Sequence, residues 1–578
     1  MKQKLLTLFA ALLTLATTTA NAANEVLYAT VSGSTMTINC GNSAPSGSYK
    51  FTAYYGFDGI TKGNITTVNI TCINYTGGNL ANIFQNYTKL EKVTGLSYLL
   101  TSNTTDTSCM FDGCSNLASL DFTSCNTENV TNMASMFLNC YALTSLDVTM
   151  FNTAKVTYMS NMFYGCSKLT TLNLSSFDTS NVTTMSNMFN GCSKLTTLNL
   201  SSFDTSNVTT MSNMFNGCNK LTTLNLSSFD TSNVTDMSAM FYNCNALPSI
   251  DVSNFNTANV TDMTSMFYNC KALTTLNVSN FNTANVTDMK SMFHLCNALT
   301  SLDVSNFNTA NVTTMSSMFN NCSVLKAIII DDSKWSTSAV TKSDGMFTNC
   351  SALVGEDGTK VGSTVDVTYA NTGDGGYLTK KSVSVSAAEI DGDHWATYYK
   401  STVNRKADAA TTVYAATRSG SELTLVSVTD GIIKAGQGVI LKSTASSVTL
   451  TTVTDAADDD KYADNALSGV DKATAQDGTK TYYVLSDENS TLGFYKYKST
   501  GLLGAHKAFL EVTGSLRAPA MFDLNIGDST DDSTTAVSST ELKSSANATY
   551  YTLDGRRLAA RPTRKGIYII GGKTIIIK

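Results

Sequence analysis

The run Leu169–Cys192, LTTLNLSSFDTSNVTTMSNMFNGC, changes its period halfway along. In the first part Leu172 and Leu174 point one way while Thr171, Asn173 and Ser175 point the other, the alternation of a short strand with one buried face. In the second part Val182, Met185, Met188 and Phe189 fall at i, i+3, i+6 and i+7, one face of a helical turn or two. Thr183 stands where an N-cap belongs, and Gly191 where a helix ends in a left-handed residue. The unit therefore reads as strand, turn, short helix, turn.

Outward from this run the pattern repeats. Cysteines at 114, 140, 166, 192, 218, 244, 270, 296 and 322 keep a step of 26, and Cys350 follows after 28, the extra two residues falling near Asp331–Trp335. Phe84…Tyr87 matches Phe111…Cys114 at a step of 27, which adds a degenerate first turn and makes eleven turns between about residues 80 and 355. The N-cap column continues through Thr131, Thr157, Thr209, Thr235, Thr261, Thr287 and Thr313. The terminal column holds Gly113, Asn139, Gly165, Gly191, Gly217, Asn243, Asn269, Asn321 and Asn349, with Leu295 its one departure. No single unit can bury its own Leu, Met and Phe, but stacked units can. The expected fold is an α/β repeat solenoid, leucine-rich-repeat-like, with a parallel sheet plus short helices, followed by an all-β sandwich. At roughly 4.8 Å per strand, the solenoid is on the order of 50 Å long.

The run LTxLDxSxFNTxNVTxMxxMFxxC resembles the repeats of BspA-like leucine-rich-repeat surface proteins, over about half the chain. That resemblance implies a secreted or surface-exposed protein, because some of that family are implicated in adhesion to host proteins or other cells. The implied partner is an unidentified protein or glycan, a host extracellular protein among the candidates.

The flanking segments fit export. Lys2 and Lys4 precede an apolar run, Leu5 to Leu15, and Ala20-Asn21-Ala22 supplies a small-x-small cleavage pattern, so residues 1–22 read as a signal peptide. The apolar run is too short to span a bilayer, and no later segment is apolar enough for a transmembrane helix. Residues 23–80 read as a β-rich N-terminal cap, 81–356 as the solenoid, 357–382 as a connector and 383–526 as the sandwich. The stretch AGQGVILK, with YYVLS, GFYKY and AHKAFLEV, resembles a β domain of secreted proteins from Gram-negative anaerobes. Residues 527–547 read as a flexible linker. In the tail, 548–578, the last 29 residues carry seven basic side chains against one acidic and resemble the end of a type IX secretion sorting domain. Cell-surface or secreted localisation, in association with an outer membrane, follows from these readings.

Charge and motif content narrow the function. A net charge of −6 with 15% charged residues leaves no nucleic-acid footprint. Only His294, His394 and His506 are present, and none sits in a hydrolase or metal motif. The column Asp236, Asp262, Asp288 reads as a solvated face. The expectation is therefore no enzyme, no cofactor and no metal. A ladder of single thiols lacks the clustered ligands of a zinc site, and parallel stacking holds its Cβ atoms too far apart for disulfides. It reads as a column of buried free thiols. Cys40, Cys72, Cys109 and Cys125 lie off the ladder, and a disulfide among them stays open. Seven Asn-Val-Thr triplets from Asn129 to Asn311 match a glycosylation pattern but fall where an Asn turn is structurally required.

Binding hot spots favour aromatic residues. The exposed column after the helix Phe offers Tyr164, then Tyr242, Tyr268 and His294 on three consecutive turns, and these are the ligand-binding candidates. Two alternatives remain. The near-identical units at 166–234 suit a structural spacer that projects the sandwich. A glycan-binding sandwich would use Trp395, Tyr398 and Tyr399 as its platform.

Overall fold

The computed structural model describes residues 26–73, 75–390, 392–419, 422–453, 459–471, 474–476, 480–488, 491–497, 502–513 and 521–526, with short strands between 550 and 577. The expected signal peptide (1–22) and linker (527–547) lie outside the described residues.

The strand half of each turn behaves as its alternation dictates. Leu172 and Leu174 are buried while Thr171, Asn173 and Ser175 are exposed, and neighbouring turns pair in parallel and in register, as in Leu224 opposite Leu198. These pairings are short. Ser145–Leu146 joins Thr171–Leu172, Ser249–Ile250 joins Thr275–Leu276, and Ser301–Asp303, Ala327–Ile330 and Thr379–Lys380 make three strands.

The expected short helices do not form: among the described residues of the solenoid there is no α-helix. A helix would bond each N–H four residues back. Here the N–H groups of Met185, Asn187, Phe189 and Gly191 donate forward to the carbonyls of Thr210, Ser212, Met214 and Asn216 on the next turn, at 3.2, 2.9, 2.9 and 2.7 Å. The intervening Met188, Asn190 and Cys192 fold back three residues, at 3.2, 3.0 and 3.1 Å. This alternation needs two left-handed residues per turn, Asn187 (φ 59°) and Gly191 (φ 76°), which a right-handed helix cannot contain. The column of Asn187, filled elsewhere by Ser135, Asn161, Asn213, Ala239, Ser265, Ser291 and Ser317, has no sequence signature that set it apart. Thr183 is not an N-cap either. Its N–H and Oγ1 both donate to Thr157 O on the preceding turn, at 3.0 and 3.2 Å. Parallel bridges run unbroken through eleven rungs, from Asn79 by way of Thr184 to Lys342.

Polar side chains stitch the turns together as well. The buried Thr179 donates its hydroxyl to Asp204 O at 2.7 Å, and Thr205 and Thr231 do the same one and two turns on. The Asn of each Asn-Val-Thr triplet uses its amide in this way, as Asn207 Nδ2 does to Ser180 O at 2.7 Å. Inside, the rings of Phe84 through Phe347 stack turn upon turn, with Phe163–Phe189 and Phe189–Phe215 both at 5.8 Å. Beside them the ladder cysteines are free and buried. Each thiol donates to a Phe carbonyl one turn back, as Cys192 Sγ does to Phe163 O at 3.2 Å. Burial pushes the Cys166, Cys218 and Cys270 thiols up to about 12. Of the four off-ladder cysteines, Cys40 and Cys72 form a disulfide, and Cys109 and Cys125 are free.

One apolar core runs from Leu27 in the N-terminal cap to Leu378. In the cap, the hairpin Val26–Ser32/Thr35–Gly41 is antiparallel, but Thr67–Ile70 and Lys92–Thr94 add in parallel, so the cap passes into solenoid geometry. Residues 357–382 do more than connect. Trp335 Nε1 donates to Ala370 O at 2.9 Å, and Tyr377 and Leu378 close the last layer.

The sandwich follows without a gap, and buried charges join it to the solenoid. Arg405, fully buried, places Nη2 2.9 Å from both Glu356 oxygens and Nη1 3.1 Å from Lys380 O. Lys400 donates to Gly355 O and Glu356 O at 3.1 and 2.8 Å, with Asp471 3.7 Å away. The sandwich itself is a ten-stranded sheet covered on one face by a four-stranded sheet. The tail is a separate unit whose four antiparallel strands run in the order Arg557–Leu558, Tyr550–Thr552, Gly566–Ile570, Lys573–Ile577.

Two outcomes follow. Leu295 carries φ 61°, and in its column Asn269 Nδ2 bonds Asn243 Oδ1 at 2.6 Å while Asn269 Oδ1 is buried with no partner. Leu295→Asn relaxes the backbone and supplies an amide, so the urea midpoint rises by the equivalent of about 1 kcal/mol; an unchanged or lowered midpoint contradicts this account. Iodoacetamide at pH 8 alkylates half-buried Cys109 in the folded protein while Cys218 and its ladder neighbours stay unlabelled until urea is added, because the thiolate is the nucleophile. Mass mapping of the alkylated peptides reads the result.

Candidate functional site

Each candidate ring on the solenoid leaves the chain between a ladder Phe and a left-handed residue, a place where the backbone is fixed at both polar groups. Tyr268 N donates to Ser265 O at 3.0 Å, and Tyr268 O accepts from Asn243 N at 2.8 Å. His294 is held the same way, by Ser291 O at 3.1 Å and Asn269 N at 2.6 Å. With the turns in register, the side chains of one column must lie over one another.

They do so for three of the four candidates. Tyr242 and Tyr268 stack with centroids 4.3 Å apart and planes 5° from parallel, and Tyr268 and His294 stack at 4.6 Å and 4°. Tyr164 lies three turns before Tyr242, with Asn190 and Asn216 between them, and is not part of the stack. All four side chains are half-buried. Burial, and then the Tyr268 phenol, raise the Tyr242 hydroxyl above its ordinary value. Burial lowers His294, opposed by a backbone bond at Ser317, so the packing works against a charged imidazole.

The spacing limits what the stack can grip. Rings less than 5 Å apart leave no room for a ligand between them, so the shared faces are closed and the stack presents ring edges, two phenols and an imidazole in a row. A partner meets it edge-on, through hydrogen bonds and edge-to-face contacts. A sugar ring, which needs an open aromatic face, has only the outer faces of Tyr242 and His294.

The sandwich platform is not assembled. Trp395 and Tyr398 are 6% and 2% exposed and belong to two different cores on opposite faces of the strand Asp393–Tyr399. Tyr399 is half-buried, packed against Gly469 so closely that a Cβ there would lie 2.2 Å from its Cγ. Sequence reasoning missed an exposed aromatic pair, Tyr54 and Tyr55, 78% and 63% exposed and edge to face at 4.6 Å on the hairpin between Tyr49–Thr52 and Gly56–Phe57 of the N-terminal cap. Adjacent tyrosines before a glycine in a non-repeating segment were the signal available. Among the described residues no cluster of His, Cys, Asp or Glu could hold a metal ion, and no helix is long and apolar enough to cross a membrane.

Residues 78–173, 169–274 and 244–359 match the family model described as "Mycoplasma protein of unknown function, DUF285". Together the three matched stretches run from 78 to 359, a little under half of the chain. The matched stretches cover the whole bridged ladder, the aromatic stack included. No curated protein matches the chain. Among solved structures, the functional domain of InlJ from Listeria monocytogenes, described as including a cysteine ladder, is similar at 17% identity and a TM-score of 0.22 over 53% of this chain. The chain spans 56% of the length of that structure.

Proposed function

We propose that this chain is an exported, non-catalytic surface protein whose DUF285 array binds a partner protein edge-on through Tyr242, Tyr268 and His294. One observation carries the reading. On a solenoid whose outward columns are Thr, Ser and Asn, three consecutive turns bring aromatic rings into contact on a rigid backbone, the kind of residue and setting that concentrates binding energy. The closed ring faces favour a protein partner, a host extracellular protein in the first place, over a glycan. Export is supported by residues 1–22, by the Cys40–Cys72 disulfide, which oxidising compartments permit, and by the BspA-like resemblance of the repeats. In this reading residues 548–578 serve as the sorting tail.

A spacer is the second reading. It is favoured by the buried Arg405–Glu356 pair and Lys400, which make the array and the sandwich one rigid projection.

The test uses the full chain and a variant carrying Tyr242→Ala, Tyr268→Ala and His294→Ala, both assayed against immobilised extracellular matrix glycoproteins by surface plasmon resonance. Loss of aromatic hot spots weakens binding by about tenfold or more, with the unfolding midpoint of the two chains compared in parallel. Equal binding by a folded triple variant removes the stack from the function. Absence of binding by the native chain, together with protease release of sandwich peptides from intact cells, establishes the spacer in its place.

A further inference from the structure

The ten-stranded sheet of the sandwich curls until its two ends meet. One end is Ala388–Ile390, Asp393–Tyr399 and Gly438–Ser443; the other is Lys480–Glu488, Lys507–Thr513 and Leu467–Val470. At one point the seam is tightly closed. Tyr399 N donates to His506 O at 3.1 Å, Gly469 lies under the Tyr399 ring, and a Cβ on Gly438 would come 2.9 Å from Ala508 Cβ. Further along, toward Trp395, no strand pairing among the described residues joins Asp393–Tyr399 to Lys507–Thr513; the pairings seen are with their own neighbours. The unzipped seam leaves a cleft of about 500 Å³.

The floor of this cleft is apolar, while Ser386, Thr397 and Ser486 are among the polar residues that line it. Ile390, Trp395 and Phe509 form its buried floor, and Leu485 and Tyr497 stand half-buried at its side. Its volume falls within the roughly 300–1,000 Å³ of small-molecule sites, which are mostly apolar with a few placed polar groups. The placed cation is Lys507, whose stem runs beside Gly504. Two other lysines of the sandwich have carboxylate partners, Lys442 with Asp393 at 2.8 Å and Lys480 with Glu511 at 2.7 Å. Lys507 has none within ion-pair distance among the described residues. Glu389, on the edge strand, lines the same cleft but makes no ion pair with it. Lys507 is exposed to solvent at the cleft, and partial desolvation lowers its ammonium below its ordinary value, which a bound anion would oppose.

We infer that the seam cleft of the sandwich is a binding site for a small amphipathic carboxylate, its apolar body against Trp395 and Phe509 and its carboxylate on Lys507. The site is independent of the aromatic stack on the solenoid, and its ligand is small where the stack's is a protein.

Trp395 makes the test direct, because Trp335 is the only other tryptophan of the chain. In the full chain carrying Trp335→Phe, dodecanoate below its micellar concentration changes Trp395 emission saturably. Dodecanol, with the same apolar body and no charge, binds about tenfold more weakly, the scale of one charge-assisted hydrogen bond. Lys507→Met brings dodecanoate down to the affinity of dodecanol and leaves dodecanol unchanged, Lys507→Arg retains dodecanoate, and Glu389→Gln does not weaken it. The site is refuted if dodecanoate gives no saturable change, or if Lys507→Met binds it as tightly as the parent. It is also refuted if dodecanol binds the parent as well as dodecanoate does.

Discussion

Everything in the solenoid depends on one backbone choice, the donation of alternate N–H groups to the next turn instead of to the chain's own preceding residues. Met185, Asn187, Phe189 and Gly191 make that choice in one turn, and the same positions make it in every turn from Asn79 to Lys342. A buried N–H must find an acceptor, so each turn is unfinished without its successor. The 26-residue step is the chain length that returns each donor to its acceptor. Where two residues are added, near Asp331–Trp335, Lys334 and Trp335 both donate to Asp331 O at 2.9 Å, and Met315 still reaches Lys342 O at 2.7 Å. The insertion bulges at a turn and the ladder goes on.

From that register the other features follow. Residues of one column are forced into contact, which stacks Phe on Phe, seats each thiol on a carbonyl and closes Tyr242, Tyr268 and His294 into a single block. A column of Asn makes a chain of amide bonds for the same reason, and a Leu in that column leaves Asn269 Oδ1 without a donor. The ends need covers, because a one-dimensional array exposes its first and last layers. At the front a β-hairpin shifts from antiparallel to parallel pairing. At the back Trp335, Tyr377 and Leu378 close the core, and Glu356 passes the chain to the sandwich through Arg405.

The buried charges at that junction are costly to desolvate and hold only because they are paired and hydrogen-bonded. Burial acts against the Asp471 carboxyl, yet His506, Lys400 and Ser401 together hold it below its ordinary value. The stabilisation it gives is complete above the unfolded carboxylate value, about 4, and is lost as pH falls through the lower folded value. The array and the sandwich form one compact unit.

The sequence by itself determined the repeat, its length, its buried columns and the left-handed Gly/Asn column, because periodic apolar residues and residues tolerant of positive φ are written in its letters. It also placed Tyr242, Tyr268 and His294 in one column, and the free thiols in another. Only the tertiary structure decided that the Met-Phe half of each turn is not helical. An i, i+3, i+7 spacing buries the same face whether N–H groups bond backward in a helix or forward to a neighbouring turn, and that neighbour lies 26 residues away. The second left-handed column, filled by Ser and Ala as well as Asn, was invisible for the same reason. Trp395 and Tyr398 looked like one platform in the sequence and lie on opposite faces, since three residues along a strand reverse the side. The closed faces of the stack, the Cys40–Cys72 pairing and the open seam beside Lys507 depend on distances between segments that no local pattern encodes.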